Sequence, residues 1–358
     1  NELNCEVDEF YSEADSVAFR NFVKEKYKTL DNLNEAWGTV FWNQTYTDWE
    51  QIYVPRPVLN NGCNPHLRLD YYRFISESTI SFCKMQAEII SKYKKDGDYI
   101  TTNGMFWNLD NHKMAEECLD VYTYDSYPSF AFGLNRDLKT AKDLNDRHWS
   151  KNLTEVRSIC PHFGIMEQSG AGGWTTRMEG PAPRPGQLTL WAMQSVAHGA
   201  DYISFFRWRT CTFSTEMYWH GILDYDNLDN RKLAEAKDFY NKLKCLDEVC
   251  GADYTAAFGV LKDYDNMWDT NVDVWHRRVE AQSSEEIFIA SEIYHTPYNT
   301  LYLSEDTDIK ELQKYPVLIY AHPVIMTGKR AALLKEYVAN GGILIIGCRS
   351  GYKQENGK

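Results

Sequence analysis

Four short apolar runs, at 98–105, 119–124, 162–166 and 200–208, each give way at once to polar or aromatic residues. The junctions read Asn103-Gly104, Asp125-Ser126-Tyr127-Pro128, Glu167-Gln168-Ser169-Gly170 and Arg207-Trp208-Arg209. Stretches with helical spacing of apolar residues alternate with them, at 137–149, 184–198 and 230–246, with 16–27 and 67–93 upstream. Strand–helix alternation of this kind predicts βα units and a parallel sheet, either a barrel or a doubly wound sheet. In both architectures the reactive residues sit at the C-terminal strand ends.

The style changes near Gly251. Runs at 256–261, 287–293, 315–320 and 341–347 read as strands, and 327–340 as a helix ending at Asn340-Gly341-Gly342. This predicts a second α/β domain over 251–358 with a Rossmann-like rhythm, following a first domain over 1–250. It contains no GxGxxG, so a nucleotide cofactor is not expected.

A net charge of −13 disfavours nucleic acid and anionic membranes as partners. No stretch reaches 18 consecutive apolar residues, so no membrane-spanning helix is expected. The nine cysteines are scattered without a CxxC pair, which points to reduced thiols and a cytoplasmic protein, with no metal site expected. The sequence has no HExxH, P-loop or GxSxG. Aromatic residues reach 14%, including 11 Trp and 24 Tyr, which suits either a large core or a flat, half-polar ligand such as a sugar.

Glu167 is the strongest candidate for chemistry, because it ends an apolar run and precedes the Gly-rich turn 170–173. A carboxyl there is costly unless it is used or paired, and a structural Glu satisfied by a buried Arg is the plain alternative. A second carboxyl is left open by spacing alone. Glu216, four residues before His220, suits hydrogen bonding to sugar hydroxyls or an ordinary surface loop. Asp125 is another candidate, or simple turn chemistry. Glu2, by its position, reads as a frayed terminus.

Several motifs together resemble glycoside hydrolase family 42, the β-galactosidases. They are Leu33-Asn34-Glu35-Ala36-Trp37-Gly38-Thr39-Val40-Phe41-Trp42, Met166-Glu167-Gln168 and Arg184-Pro185-Gly186-Gln187, then residues 194–201 and 205–209, and Glu216 to Gly221. The resemblance implies a (β/α)₈ TIM barrel present here as strands 4–8. An α/β domain of the trimerisation, glutamine-amidotransferase-like type would follow, truncated here. The sequence is thus expected to be an internal fragment of a retaining enzyme that cleaves terminal β-D-galactosides, with a homotrimer for the full-length form and no cofactor. The resemblance implies Glu2 as acid/base in an Asn1-Glu2 pair and Glu167 as nucleophile. Asn1 would meet the sugar 2-hydroxyl and Tyr127 would orient the nucleophile. Trp42 and Trp174 would line the sugar site, and Glu216 and His220 would hold galactose hydroxyls. A four-cysteine zinc site found in some members is not matched by Cys5 alone. The alternatives are an inert or carbohydrate-binding remnant, or a related β-D-fucosidase or α-L-arabinopyranosidase.

Overall fold

The computed structural model describes residues 2–3, 8–56, 63–104, 107–132, 146–173 and 180–358, with the side chains of 131–132 excepted. In chain order the elements begin with α1 (Glu13–Tyr27), α2 (Leu30–Trp37), α3 (Pro65–Ser91), β1 (Asn103–Gly104), α4 (Asn111–Cys118) and β2 (Thr123–Ser126). Next come α5 (Ser150–Ile159), β3 (Phe163–Ser169), α6 (Gln187–Ala197), β4 (Ala200–Phe206) and α7 (Arg231–Leu243). Then follow β5 (Phe258–Lys262), α8 (Tyr264–Asp269), α9 (Val274–Tyr294), β6 (Tyr298–Tyr302), α10 (Ile309–Gln313), β7 (Val317–Tyr320), α11 (Gly328–Ala339) and β8 (Ile343–Ile346). Among the described residues the strands form two four-stranded sheets, ordered β1-β2-β3-β4 and β6-β5-β7-β8. Every strand pair is parallel, as the strand–helix alternation predicts.

The chain gathers into two compact units, each built from separate stretches of sequence. One holds Asn1–Glu2, Ile90–Met105 and Leu119–Thr255; the other holds Leu3–Ile89, Phe106–Cys118 and Ala256–Lys358. The first unit carries the β1–β4 sheet. Phe163 and Ile165 of β3 are fully buried, and α6 and α7 pack through Leu188, Leu233 and Ala236.

The second unit has an aromatic core. Phe19 of α1, Trp37 of α2 and Tyr71, Phe74 and Ile75 of α3 are buried together. The buried carboxylate of Asp70 ties these helices to one another. It accepts hydrogen bonds from Lys26 Nζ at 2.6 Å, Tyr27 Oη at 2.6 Å, Trp37 Nε1 at 3.0 Å and Arg73 Nη1 at 2.8 Å. Arg73 also meets Asp265 at 2.9 Å, and Arg330 of α11 meets the buried Asp263 at 3.0 Å. Burying so many charges is tolerable only because each finds a partner.

One expected strand is a helix. The run 287–293 belongs to α9, which Asp273 caps by accepting from the Trp275 and His276 amides. Phe288 and Ser291 are buried three residues apart, a helical spacing. A short apolar run does not distinguish a strand from one face of a helix. The strand missed in that region is β6 at Tyr298–Tyr302. Boundaries shift as well: among the described residues, the strand expected over 98–105 pairs at Asn103–Gly104, that expected over 119–124 pairs at Thr123–Ser126, and that expected over 162–166 runs on to Ser169. The helix expected over 137–149 lies mostly outside the described residues, and α5 begins at Ser150.

Candidate active site

The ends of β1, β2 and β3 place three polar side chains side by side. Asn103 of β1 pairs with Thr123 of β2, two residues before Asp125. Between β2 and β3 the register runs Tyr124 to Ile165 and then Asp125 to Glu167. Met166 is therefore an extra residue on β3. The same segment is out of step with β4, where Ile165 pairs with Ile203 and Gln168 with Phe205. A bulge of this kind re-aims side chains. In an unbroken ladder Met166 would lie beside Asp125; the extra residue puts Glu167 there instead.

The strand is fixed beyond the bulge. Gln168 is fully buried, donating to the Ser126 carbonyl at 3.3 Å and accepting from Ser195 Oγ of α6 at 3.0 Å. Ser169 Oγ meets Ser129 Oγ at 2.8 Å. The carboxylate of Glu167 therefore stands on a well-anchored strand.

Both oxygens of Glu167 are addressed. Tyr127 Oη donates to Oε2 at 2.6 Å, and Asn103 Nδ2 approaches Oε1 at 3.5 Å. The same Asn103 nitrogen donates to Asp125 Oδ2 at 2.7 Å. Asp125 Oδ1 is buried and has no hydrogen-bond partner among the described residues. Glu2, exposed and with φ of 50°, completes the cluster. One carboxylate oxygen from each of Glu2, Asp125 and Glu167 lies within 4.8 Å of the others.

Burial raises the proton affinity of Asp125 and of Glu167. Burial pushes the Asp125 carboxyl up to about 7, with Glu167 and Glu2 adding to the effect against the Asn103 amide. Burial also raises Glu167, opposed by the Tyr127 hydrogen bond and assisted by Glu2 and Glu216. Tyr127 is held protonated by its burial and by Glu167. The trio is the one grouping of three potential metal ligands among the described residues. Asp125 and Glu167 already accept hydrogen bonds, and a hard cation seeks six or more oxygens, so the arrangement suits proton chemistry better.

The segment after β4 forms a second wall. Glu216 is ion-paired with Arg207. Trp219 packs against Tyr127, with ring centroids 5.2 Å apart, and against Phe206 at 4.9 Å. Its backbone bridges to Gly173, and the His220 amide donates to the Gly172 carbonyl at 3.0 Å. His220 Nδ1 lies 3.5 Å from Asp224, while its Nε2 is buried without a partner among the described residues.

Of the residues picked out from sequence, Glu2, Tyr127, Glu167 and Glu216 act on one another here. Asn1 and Trp174 lie outside the described residues. Trp42 sits in a short 3₁₀ turn of the other unit, is 82% exposed and has φ of 54°. Sequence reasoning gives no role to Asn103 or Trp219. A signal for Asn103 is present, an Asn-Gly pair ending an apolar run.

Comparison with known proteins points to one family. The family model for glycoside hydrolase family 42, described as beta-galactosidase, matches residues 1–246. The chain is 32% identical over 361 positions to beta-galactosidase bgaB of Geobacillus kaustophilus, covering 99% of this chain and 51% of that protein. It is 29% identical over 359 positions to beta-galactosidase LacZ of Heyndrickxia coagulans, covering 99% and 51%. Among solved structures, the polyextremophilic β-galactosidase from the Antarctic haloarchaeon Halorubrum lacusprofundi matches with a TM-score of 0.87 at 28% identity, covering 100% of this chain and 53% of that one. The chain thus spans about half the length of the relatives it matches. With the family model matching well over half of its residues, the chain belongs to glycoside hydrolase family 42.

Proposed function

We propose that this chain carries the catalytic carboxyl pair of a retaining β-galactosidase. The observation that carries the reading is the placement of Glu2 and Glu167, with carboxylate oxygens within 4.8 Å. Retaining enzymes hold their two carboxyls about 5–5.5 Å apart, whereas inverting enzymes need roughly 6.5–9.5 Å to admit a water. Glu167, oriented by Tyr127, attacks the anomeric carbon, and the bond to the leaving oxygen breaks as Glu2 protonates that oxygen. A galactosyl-enzyme results. Glu2 then takes a proton from water, which attacks the same carbon and frees Glu167.

The remaining roles follow the family resemblance. Asn1 meets the sugar 2-hydroxyl, Trp42 and Trp174 are assigned to the sugar-lining aromatics, and Glu216 and His220 hold sugar hydroxyls. In this reading β1–β4 are the last four strands of a (β/α)₈ barrel and Glu2 ends the fourth, so residues 1–250 belong to the barrel. Residues 251–358 belong to a Rossmann-like domain that supports a homotrimer. The free cysteines among the described residues support a cytoplasmic location. Among those residues no helix is long and apolar enough to cross a membrane.

The test is made on the complete protein that carries this sequence. Hydrolysis of an aryl β-galactoside, followed by NMR, is expected to release the β-anomer first. Glu167→Ala is expected to abolish turnover. First release of the α-anomer, or a retained rate in the variant, overturns the reading.

A further inference from the structure

The function proposed above uses Glu2, Glu167 and Tyr127 and leaves Asp125 without a task. Yet Asp125 is the residue that the β3 bulge places directly beside Glu167. Its Oδ2 binds the Asn103 nitrogen at 2.7 Å, and that same nitrogen approaches Glu167 Oε1 at 3.5 Å. An amide NH₂ has two hydrogens about 120° apart, so anchoring one fixes the direction of the other. The orientation of Asn103 toward Glu167 thus depends on Asp125. The second oxygen of Asp125 is buried and has no partner among the described residues, an unusual condition for an ionised carboxylate and a milder one for a carboxylic acid.

We propose that Asp125 is a positioning residue for Glu167, anchoring the Asn103 amide and holding the proton that two adjacent carboxyl groups share, so that Glu167 alone of the pair is charged. The inference rests on the reading of Glu167 as nucleophile. Two like charges this close are not ionised together at low cost, and the proton goes to the member with fewer donors. Among the described residues, Glu167 has donors at both oxygens and Asp125 at one. Among the described residues, the ionisable groups around Asp125 are Glu2, Glu167 of β3, Tyr124 and Tyr127 on its own segment and Tyr202 of β4. Each of these adds negative charge when it ionises. The rise of Asp125 to about 7 agrees with the geometry.

Ionisation of Asp125 draws the Asn103 amide to itself and raises the proton affinity of its neighbours. The activity is therefore expected to decline as pH rises through the Asp125 ionisation. Asp125→Asn imitates the neutral acid and removes that ionisation; Asp125→Ala removes the anchor as well.

The experiment uses the complete protein and has two arms. In the first, wild type is incubated with a 2-deoxy-2-fluoro-β-galactosyl fluoride and the labelled peptide is identified; a label on any residue but Glu167 overturns the nucleophile reading itself. In the second, kcat and KM for an aryl β-galactoside are measured against pH for wild type, Asp125→Asn, Asp125→Ala and Asn103→Ala. Expected are a kcat at least tenfold lower in both alanine variants, with KM changed less than threefold. Asp125→Asn is expected to retain at least a third of the wild-type kcat at pH 6 and to lose the limb centred near pH 7. With Glu167 labelled, equal losses in Asp125→Asn and Asp125→Ala, or an unchanged limb in Asp125→Asn, overturn the proposal. Asn103→Ala, which leaves the carboxyl in place, separates loss of the anchor from loss of the fold; wild-type kcat in that variant also overturns it.

Discussion

The hydroxyl of Tyr127 donates to Glu167 Oε2 at 2.6 Å, the shortest polar contact described for either residue. It joins the segment after β2 to the end of β3. Tyr127 is itself buried between Phe130, whose ring stacks at 4.8 Å, and Trp219. A hydrogen bond to a charged group is worth about 1.5–3 kcal/mol. Tyr127→Phe is therefore expected to lower kcat roughly ten- to hundredfold with little change in KM. Steady-state kinetics on an aryl β-galactoside checks this, and a change confined to KM would assign Tyr127 to ground-state binding instead.

Gly173 holds the two walls of the site together. Its φ is 94°, and a Cβ there would fall 1.8 Å from the Tyr218 carbonyl oxygen. Gly173→Ala must displace the 216–220 segment, where the backbone bridge to Trp219 is made. Strain at such a position costs on the order of 1–3 kcal/mol before any clash is counted. The expected outcome is a loss of activity of at least tenfold, and circular dichroism would show the helices intact.

Asp70 is expected to be indispensable to its unit. Burial drives its carboxyl up, but Lys26 and Arg73 outweigh that and hold it below the usual range. Asp70→Asn leaves two cations facing a neutral amide in the interior. Breaking a buried pair in this way costs about 3–5 kcal/mol. Thermal unfolding is expected to shift down by several degrees, whereas loss of the exposed Lys314–Glu311 pair, worth about 0–1 kcal/mol, is expected to have no measurable effect.

Two carboxylates should make stability depend on pH with opposite signs. Asp273 is pushed up by burial but held far below the usual range by Arg349, the His276 amide and Lys353. Its folded pKa lies below its unfolded one, so its contribution is present above about pH 4 and is lost on acidification. Asp125, at about 7 in the folded state against 3.8 as a free side chain, is the reverse. Its folded form binds the extra proton, and stability falls as pH rises between about 4 and 7. Asp125→Asn is thus expected to gain on wild type in unfolding midpoint across that window and to match its pH trend below it. Asp273→Asn is expected to lose most above about pH 5.

The strand ends of the site are legible in the sequence because apolar runs that stop at polar residues carry a plain physical meaning. Glu167 stands out in this way, with motif resemblance supplying Glu2 and Tyr127. Asp125 is visible as a candidate without a role, and Asn103 is not singled out, because cross-strand adjacency depends on register. The displacement at Met166 leaves no mark in composition or periodicity. The misreading at 287–293 has a different origin, since Ile287, Phe288, Ile289 and Ile293 fit a pleated surface as well as they fit one side of α9. Its helical identity is set by the Asp273 cap at the start of α9 and by burial at Phe288 and Ser291.

The surplus residue on β3 also separates folding from activity. Met166 is extra against β2, so its removal would leave that register even, while β3 and β4 would still be out of step at Phe163–Gly164. The pairing of β2 with β3 therefore has no need of it. What a shortened strand would lose is the local bend, and with it the angle at which the Glu167 carboxylate faces the Tyr127 hydroxyl and the Asn103 amide. A sequence that lacks Met166 could pair every strand and still aim its acid at nothing. Two things in this strand thus act together: Glu167 supplies the carboxylate, and the surplus residue sets the angle at which it stands.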